Sequence, residues 1–303
     1  MATASAATPQ APVRVRRGRT RVQSVLAYFG RNPTLPIGLA MILFLILIGL
    51  IGPFFVDVNN AQATSVLPSQ PPSSDLPLGS DEQGRDLLAV LVAGLPLTLR
   101  VGFLAGSVGL SIGIVLGFVA GYRGGWVDTV IRLIVDSLLT VPGLLVLIII
   151  ADSIKGVISV NLMALVVASL AWTFPTRTIR SQVLSLRERA YVQMAKLSGM
   201  TALEVIVREL IPNLLPYLAA SFVSAVSGAV LASIGLEAIG LGPQNEPTLG
   251  MTIYWAITFS AMIRGFWWWW LTPIVAIVVL FLGLFLISTG LDEVANPRRR
   301  RAA

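Results

Sequence analysis

The sequence predicts an all-α membrane protein with six transmembrane helices, on three observations. Only 12% of its 303 residues are charged and 55% are hydrophobic, where a soluble domain carries about 25% charge. One or two ordinary cores cannot hide that much apolar surface, so the bilayer has to serve as part of the solvent. Six apolar stretches are long enough to cross a hydrocarbon layer of ~30 Å. Lys and Arg divide eighteen to four between the two sides those stretches define, which places both termini in the cytoplasm.

The elements follow in order. Residues 1–31 begin Ala/Thr/Pro-rich, carry Arg14, Arg16, Arg17, Arg19, Arg21 and Arg31, and show no apolar period; they read as a disordered cytoplasmic tail. The stretch 32–56 is too long for a signal-peptide core, and its Gly52-Pro53-Phe54-Phe55 lacks a small-x-small cleavage pattern, so it reads as an uncleaved transmembrane helix. Residues 57–96 are rich in Pro, Ser, Asn and Gln, with Asp57, Asp75, Asp81, Glu82 and Asp86 against one Arg, and read as an extracytoplasmic segment. A core at 97–291 holds five more spans: 101–122, 133–151 (apolar apart from Asp136), 156–176, 210–236 and 265–291. Between the fourth and fifth spans lies the longest cytoplasmic loop, 177–213. Residues 292–303, with Arg298 to Arg301, form a basic cytoplasmic tail.

Composition also excludes chemistry. Cys and His are both absent, which removes disulfides, thiol nucleophiles, imidazole acid–base pairs and the usual zinc or copper sites. No metal site is expected. The only lysines are Lys155 and Lys196, and neither follows glycine, so no phosphate-binding loop of the Gly-x4-Gly-Lys type is present. Basic tails beside long apolar runs obey the positive-inside rule, and nucleic acid is not an expected partner.

Four constellations stand out. Gly102, Gly106, Gly109, Gly113, Gly117 and Gly121 recur at steps of four and three, forming one helical stripe that lets transmembrane helices approach closely. Asp128, Arg132 and Asp136 are spaced i, i+4, i+8 at the start of the third span, and Arg132 is placed to pair with either acid near the membrane interface. Trp267 to Trp270, with Trp255 and Phe266, read as an interfacial aromatic belt. The loop reads as two short helices. The first, about 187–197, breaks at Gly199, which suits a left-handed C-cap. The second opens with the capping box Thr201-Ala202-Leu203-Glu204 and closes at Pro212.

That loop resembles the EAA loop of permease subunits of type I ATP-binding-cassette importers. The resemblance rests on Tyr191-Val192-Gln193-Met194-Ala195-Lys196-Leu197-Ser198-Gly199 and Arg208-Glu209-Leu210-Ile211-Pro212-Asn213, and is nearest to the peptide/nickel branch. Three further segments agree in order and spacing: Leu78 to Asp86, Ala120 to Asp128, and Gly240-Leu241-Gly242-Pro243. Gln193, Met194 and Glu209 depart from the family's loop pattern.

The resemblance implies the type I importer permease fold with a cytoplasmic coupling helix-turn-helix. Its partners would be a homologous second permease subunit, two ATP-binding cassette ATPases and an extracytoplasmic substrate-binding protein, in a prokaryotic inner or plasma membrane. ATP and Mg would act on the partner subunits, with no cofactor on this chain and no enzymatic activity of its own. The expected ATPase-coupling residues are Arg189, Tyr191, Gln193, Ala195, Gly199, Thr201, Glu204, Arg208 and Pro212. Di- or oligopeptides lead as cargo, with oligosaccharides or nickel as alternatives. A channel or passive membrane scaffold is the competing class, and neither a charged ring nor a carbonyl-type filter is legible for it.

Overall fold

The computed structural model describes residues 33–295. The tail expected at 1–31 lies outside them, as does the tail expected at 292–303 except for 292–295, which prolong the last helix. Among the described residues the chain forms helices and no strand; Ser80 and Asp86 make one isolated bridge.

Helix α1 (Thr34–Ile51) runs into a 3-10 turn at Gly52–Phe54. An irregular segment with a second 3-10 turn at Val58–Ala61 leads to α2 (Leu87–Arg123). Next come α3 (Gly125–Thr140), α4 (Gly143–Ser153), α5 (Val160–Ala171) and α6 (Thr173–Arg187). Then follow α7 (Ala190–Leu197), α8 (Ala202–Glu204), a π-helical turn at Val205–Leu210 and α9 (Ile211–Ala238). The last described elements are α10 (Leu249–Thr258) and α11 (Trp267–Ala295). Among the described residues four stretches are long and apolar enough to cross a membrane: Thr34–Phe54, Leu87–Arg123, Ala202–Ala238 and Trp267–Glu293. Two bent pairs, α3 with α4 at 87° and α5 with α6 at 41°, raise that to as many as six if each pair is one span.

The boundaries differ from the sequence expectation in four places, each for a local reason. The second span starts at Leu87, inside the segment assigned to 57–96, because the Asp86 carboxylate caps the helix by accepting from Leu88 N; Pro96 is then tolerated within a helix held on several sides. The stretch 133–151 is not one rod. Pro142 drives Val141 to an extended conformation (φ −80°, ψ 134°) and ends α3 one residue earlier. Residues 177–187 belong to α6, which continues the preceding span, so the first loop helix starts at Ala190 rather than 187. Pro212 does not close the second loop helix. The π turn widens the backbone ahead of it, Ile211 N bonds Ile206 O, and the proline's missing N–H falls within the first turn of α9.

α2 is the spine on which the other helices pack. The predicted glycine stripe is buried along its whole length, and each glycine abuts a neighbour at backbone range. A Cβ at Gly106 would lie 2.8 Å from the backbone of Val226 in α9, and one at Gly109 would lie 2.8 Å from the carbonyl of Ala171. At Gly113, Gly117 and Gly121 it would meet Pro175, Ile179 and Val183 of α6 at 2.6, 2.9 and 2.8 Å. Gly102 faces Val230 in the same way. The three largest apolar clusters on this spine are Val101 and Ala105 with Met163, Val167 and Leu147; Leu95 with Leu45, Val230 and Leu280; Leu110 and Phe118 with Ile179, Val183 and Leu210. Opposite faces of the same helices expose Phe44, Phe103, Val115, Leu231 and Phe285, as expected where lipid replaces water.

Gly109→Leu should destabilise the chain by about 3 kcal/mol or prevent its assembly, since a core this close cannot absorb four more carbons. Val108→Leu, on the exposed face one residue away, should change stability by less than about 0.5 kcal/mol. Thermal unfolding and yield in detergent compare the two; equal behaviour would contradict the close-approach account.

Candidate functional site

The loop between α6 and α9 folds into a fixed elbow. Arg189, extended at φ −72° and ψ 146°, precedes α7 and breaks it from α6. Gln193 Nε2 donates to the Arg187 carbonyl at 3.1 Å across that break. At the other end of α7, Gly199 adopts φ +86°, a conformation that strains any residue with a β-carbon. Gly199 N donates to Lys196 O, and Met200 N reaches back to Ala195 O at 3.2 Å, so the helix terminates in the paired bonds of a Schellman-type cap. The predicted capping box is complete: Thr201 N donates to Glu204 Oε2 at 2.9 Å and Glu204 N to Thr201 Oγ1 at 3.4 Å. Arg208 sits 3.9 Å from Glu204 one turn on.

This elbow is tied to the spine. Val192 is fully buried against Val183, Val205 and Leu210, with Ala195 packed beside them. Ala195 therefore faces the protein's own core. Arg187 Nη1 donates to Gly121 O at 2.9 Å, and Lys196 Nζ lies 5.5 Å from the centre of the Tyr122 ring. The Tyr191 hydroxyl is pushed above its ordinary range by burial, and secondarily by the Glu209 carboxylate, with Arg189 opposing. Facing away from the spine, Tyr191, Met194 and Leu197 share one side of α7, and Leu203 and Val207 lie one turn apart. Leu197 is 83% exposed, Leu203 70% and Met194 63%.

At the base of α3, Asp128, Arg132 and Asp136 share a face as expected, but neither acid takes Arg132 as its partner. Asp128 accepts both Nε and Nη2 of Arg180, the latter at 2.6 Å, and Asp136 lies 4.0 Å from Arg177. α6 runs along that face and supplies a planar fork that binds both oxygens of Asp128 at once, which a guanidinium on the same helix does not do here. The acids thus join α3 to α6.

The other end of the molecule is more structured than its composition suggests. Thr64 N bonds Gln83 O, Val66 N bonds Gly84 O, and Ser69 N bonds Asp81 O, each within 2.8–2.9 Å. Asp81 and Arg85 are buried together, and Asp81 Oδ1 also accepts from the backbone N of Gln83 and Arg85. Glu82 accepts from Ser69 Oγ at 2.6 Å and Arg264 Nη1 at 2.8 Å, and Trp268 Nε1 donates to Ser80 O at 3.1 Å. The tryptophan run is accordingly only partly an interfacial belt. Trp267 is exposed, whereas Trp269 is fully buried with Leu87, Ala256 and Ala261, because α10, an element absent from the sequence reading, folds over it.

Sequence reasoning also missed Glu237. It lies one residue beyond the span drawn at 210–236 and is completely buried. Ser233 Oγ and Thr248 Oγ1 each donate to it at 2.6 Å, and the N–H groups of Gly250 and Met251 also point at it. A Cβ on Gly242 would strike its Cγ at 2.6 Å. The available signal was a lone acid ending a charge-free run just before a Gly-Leu-Gly turn. Between the α3–α4 bend, α6 and α9 lies a recess of about 920 Å³, walled by Val141, Leu144, Phe174, Tyr217, Ser221 and Gly228. Among the described residues no three acids gather as metal ligands.

The family described as binding-protein-dependent transport system inner membrane component matches residues 113–301. The oligopeptide transport system permease protein OppC of Mycobacterium tuberculosis is 28% identical over 231 residues, 76% of this chain and 79% of that protein. The dipeptide transport system permease protein DppC of Bacillus subtilis is 29% identical over 271 residues (89% and 84%). DppC of Alkalihalophilus pseudofirmus is 30% identical over 273 residues (89% and 88%).

The Ser69 hydroxyl holds the Glu82 carboxyl below its ordinary value of 4.5, and Arg264 adds to this against the opposing effect of burial. A depressed value means that the bracket stabilises the fold above about pH 4.5 and is lost as pH falls through the lowered value. The partly exposed pair is worth at most about 1 kcal/mol. Protection factors for hydrogen exchange across residues 64–84, which divide out the intrinsic slowing in acid, should fall on acidification in the wild type and fall less in Glu82→Gln; identical pH responses would contradict the assignment.

Proposed function

Because the chain belongs to the family of binding-protein-dependent transport system inner membrane components, matched over 113–301, we propose that it is the permease subunit of an ATP-driven importer of peptides. It is a transport subunit and not an enzyme. The peptide names borne by the OppC and DppC relatives favour di- or oligopeptide over oligosaccharide or nickel. The observation that carries the assignment to a powered importer, rather than a channel or scaffold, is the elbow: rigidly capped, pinned to the spine through Val192 and Arg187, and bearing bare apolar side chains on a polar loop.

In the proposed assembly, each bent pair counts as one span, giving six crossings with both termini cytoplasmic. The exposed face of α7 and α8, with Tyr191, Met194, Leu197 and Leu203, seats in a groove of a partner ATPase. ATP and Mg act there, on that partner. A second, homologous permease closes over the recess between α3–α4 and α9, so that each chain supplies half of the pathway, and an extracytoplasmic binding protein delivers peptide to the opposite end. Closure of the ATPases displaces the elbow. Because Val192, Val205 and Leu210 pack on α6 and α2, the displacement passes into the helices that wall the recess and switches its access.

Two measurements test this. Leu197→Asp with Leu203→Asp should weaken association with the ATPase subunits about tenfold or more and abolish ATP-dependent peptide uptake in proteoliposomes, while leaving membrane insertion intact. Wild-type association would contradict the docking role. In this Cys-free chain, single cysteines at positions 70 and 246 should react with an impermeant thiol reagent from outside, and those at 124 and 198 should not. The reverse pattern would sink the orientation.

A further inference from the structure

Beside the Asp128–Arg180 bridge, α3 and α6 enclose a small pocket of about 150 Å³, whose polar lining is Arg132, Asp136, Thr176, Arg177 and Arg180. Its charges do not cancel. Arg180 is committed to Asp128 through two hydrogen bonds, and the Thr176 hydroxyl donates to Trp172 O at 2.7 Å. Asp136 reaches Arg177 only at 4.0 Å. Arg132 makes no ion pair among the described residues. Two guanidinium groups thus face one loosely held carboxylate, leaving a single positive charge.

Apolar side chains flank the pocket. Ile131 and Val135 of α3 complete its lining, and Leu133, next to Arg132 on the same helix, is largely exposed. An uncompensated arginine beside hydrocarbon is costly. A phosphodiester supplies one negative charge and oxygens that fit guanidinium forks. An amphiphile would satisfy the arginines with its head and lay its chains along the exposed apolar surface of α3 at Leu133. A free phosphate would do only the first.

We propose that this pocket binds the phosphodiester headgroup of an anionic phospholipid through Arg132 and Arg177, with Asp136 setting the pocket's net charge at plus one. The inference rests on the membrane placement given above but not on the cargo or the ATPase partner. Lipid bound here bridges α3 and α6, the two elements that lie between the elbow and the recess.

The test is lipid titration of the delipidated, detergent-solubilised full chain, read by native mass spectrometry with phosphatidylglycerol against phosphatidylcholine. Phosphatidylglycerol should bind preferentially. Arg132→Gln with Arg177→Gln should reduce its affinity roughly tenfold or more, since each arginine near an anionic headgroup is worth about a factor of five. Arg123→Gln, outside the pocket, should not. Asp136→Asn should raise the affinity severalfold, a gain that a misfolded variant does not mimic. Equal binding of the two lipids, or no response to the double and Asp136 variants, would overturn the site. Displacement of phosphatidylglycerol by millimolar inorganic phosphate would overturn the lipid assignment in favour of a free anion. Failure here with the expected cysteine labelling removes only this proposal, whereas reversed labelling removes the membrane placement beneath both.

Discussion

The close approach of α2 to α9 and α6, made possible by six side chains that are absent, governs the rest of the structure. In hydrocarbon there is no apolar driving force to bring helices together, so association depends on dispersion and on how near two backbones can come. Gly106 against Val226 and Gly109 against Ala171 bring them to the limit. Once α2 is fixed between α9 and α6, the three apolar clusters have their shared wall, and α1 can close on α11 by the same means, with a Cβ at Gly38 reaching within 2.7 Å of the Gly283 carbonyl. The bend at Pro142 then needs no partner of its own: it turns α4 across a bundle that is already packed.

Polar groups are placed where this packing leaves them one solution. Asp128 and Arg180 sit at the edge of the bundle and satisfy each other across two helices. Glu237 is enclosed, and its oxygens receive a serine, a threonine and the opening amides of α10. A buried carboxylate with that many donors fixes the turn 239–248 far more firmly than apolar contacts would, because leaving any donor unpaired there costs the full desolvation of the group. Thr98 adds a bond from the spine, accepting from Leu249 N at 3.1 Å. The short helix α10 is thus held by hydrogen bonds on one side and by Trp269 on the other.

What was legible in the sequence follows from how local each signal is. The glycine stripe, the Thr201–Glu204 box and the turn at Gly199 are short-range patterns with one physical meaning, and each stands in the structure as expected. The ends of the helices were less legible. Whether a proline stops a helix depends on what precedes it: Pro142 breaks the chain because Val141 is free to extend, and Pro212 does not because a π turn absorbs the missing bond. Arg132 was matched to acids on its own helix, since the competing guanidinium lies 52 residues from Asp128 and only the fold brings it near. Glu237 and α10 escaped for a related reason. Their meaning lies in a pairing between a span's last turn and a loop eleven residues on, and neither half is informative alone.

The unbroken helix from Ala202 to Ala238 has a mechanical side. Val226, where its backbone comes closest to the spine, divides it into arms of about 36 Å and about 18 Å at the rise of an α-helix. The long arm carries Leu203 and the π turn; the short arm ends at Glu237. In the proposed assembly, a rod turning about that point would work as a lever with roughly two-to-one advantage: a wide, weak push at the elbow would become a short, forceful stroke in the opposite sense at the carboxylate and its turn. The geometry trades travel for force at the end where hydrogen bonds, rather than apolar contacts, have to be moved.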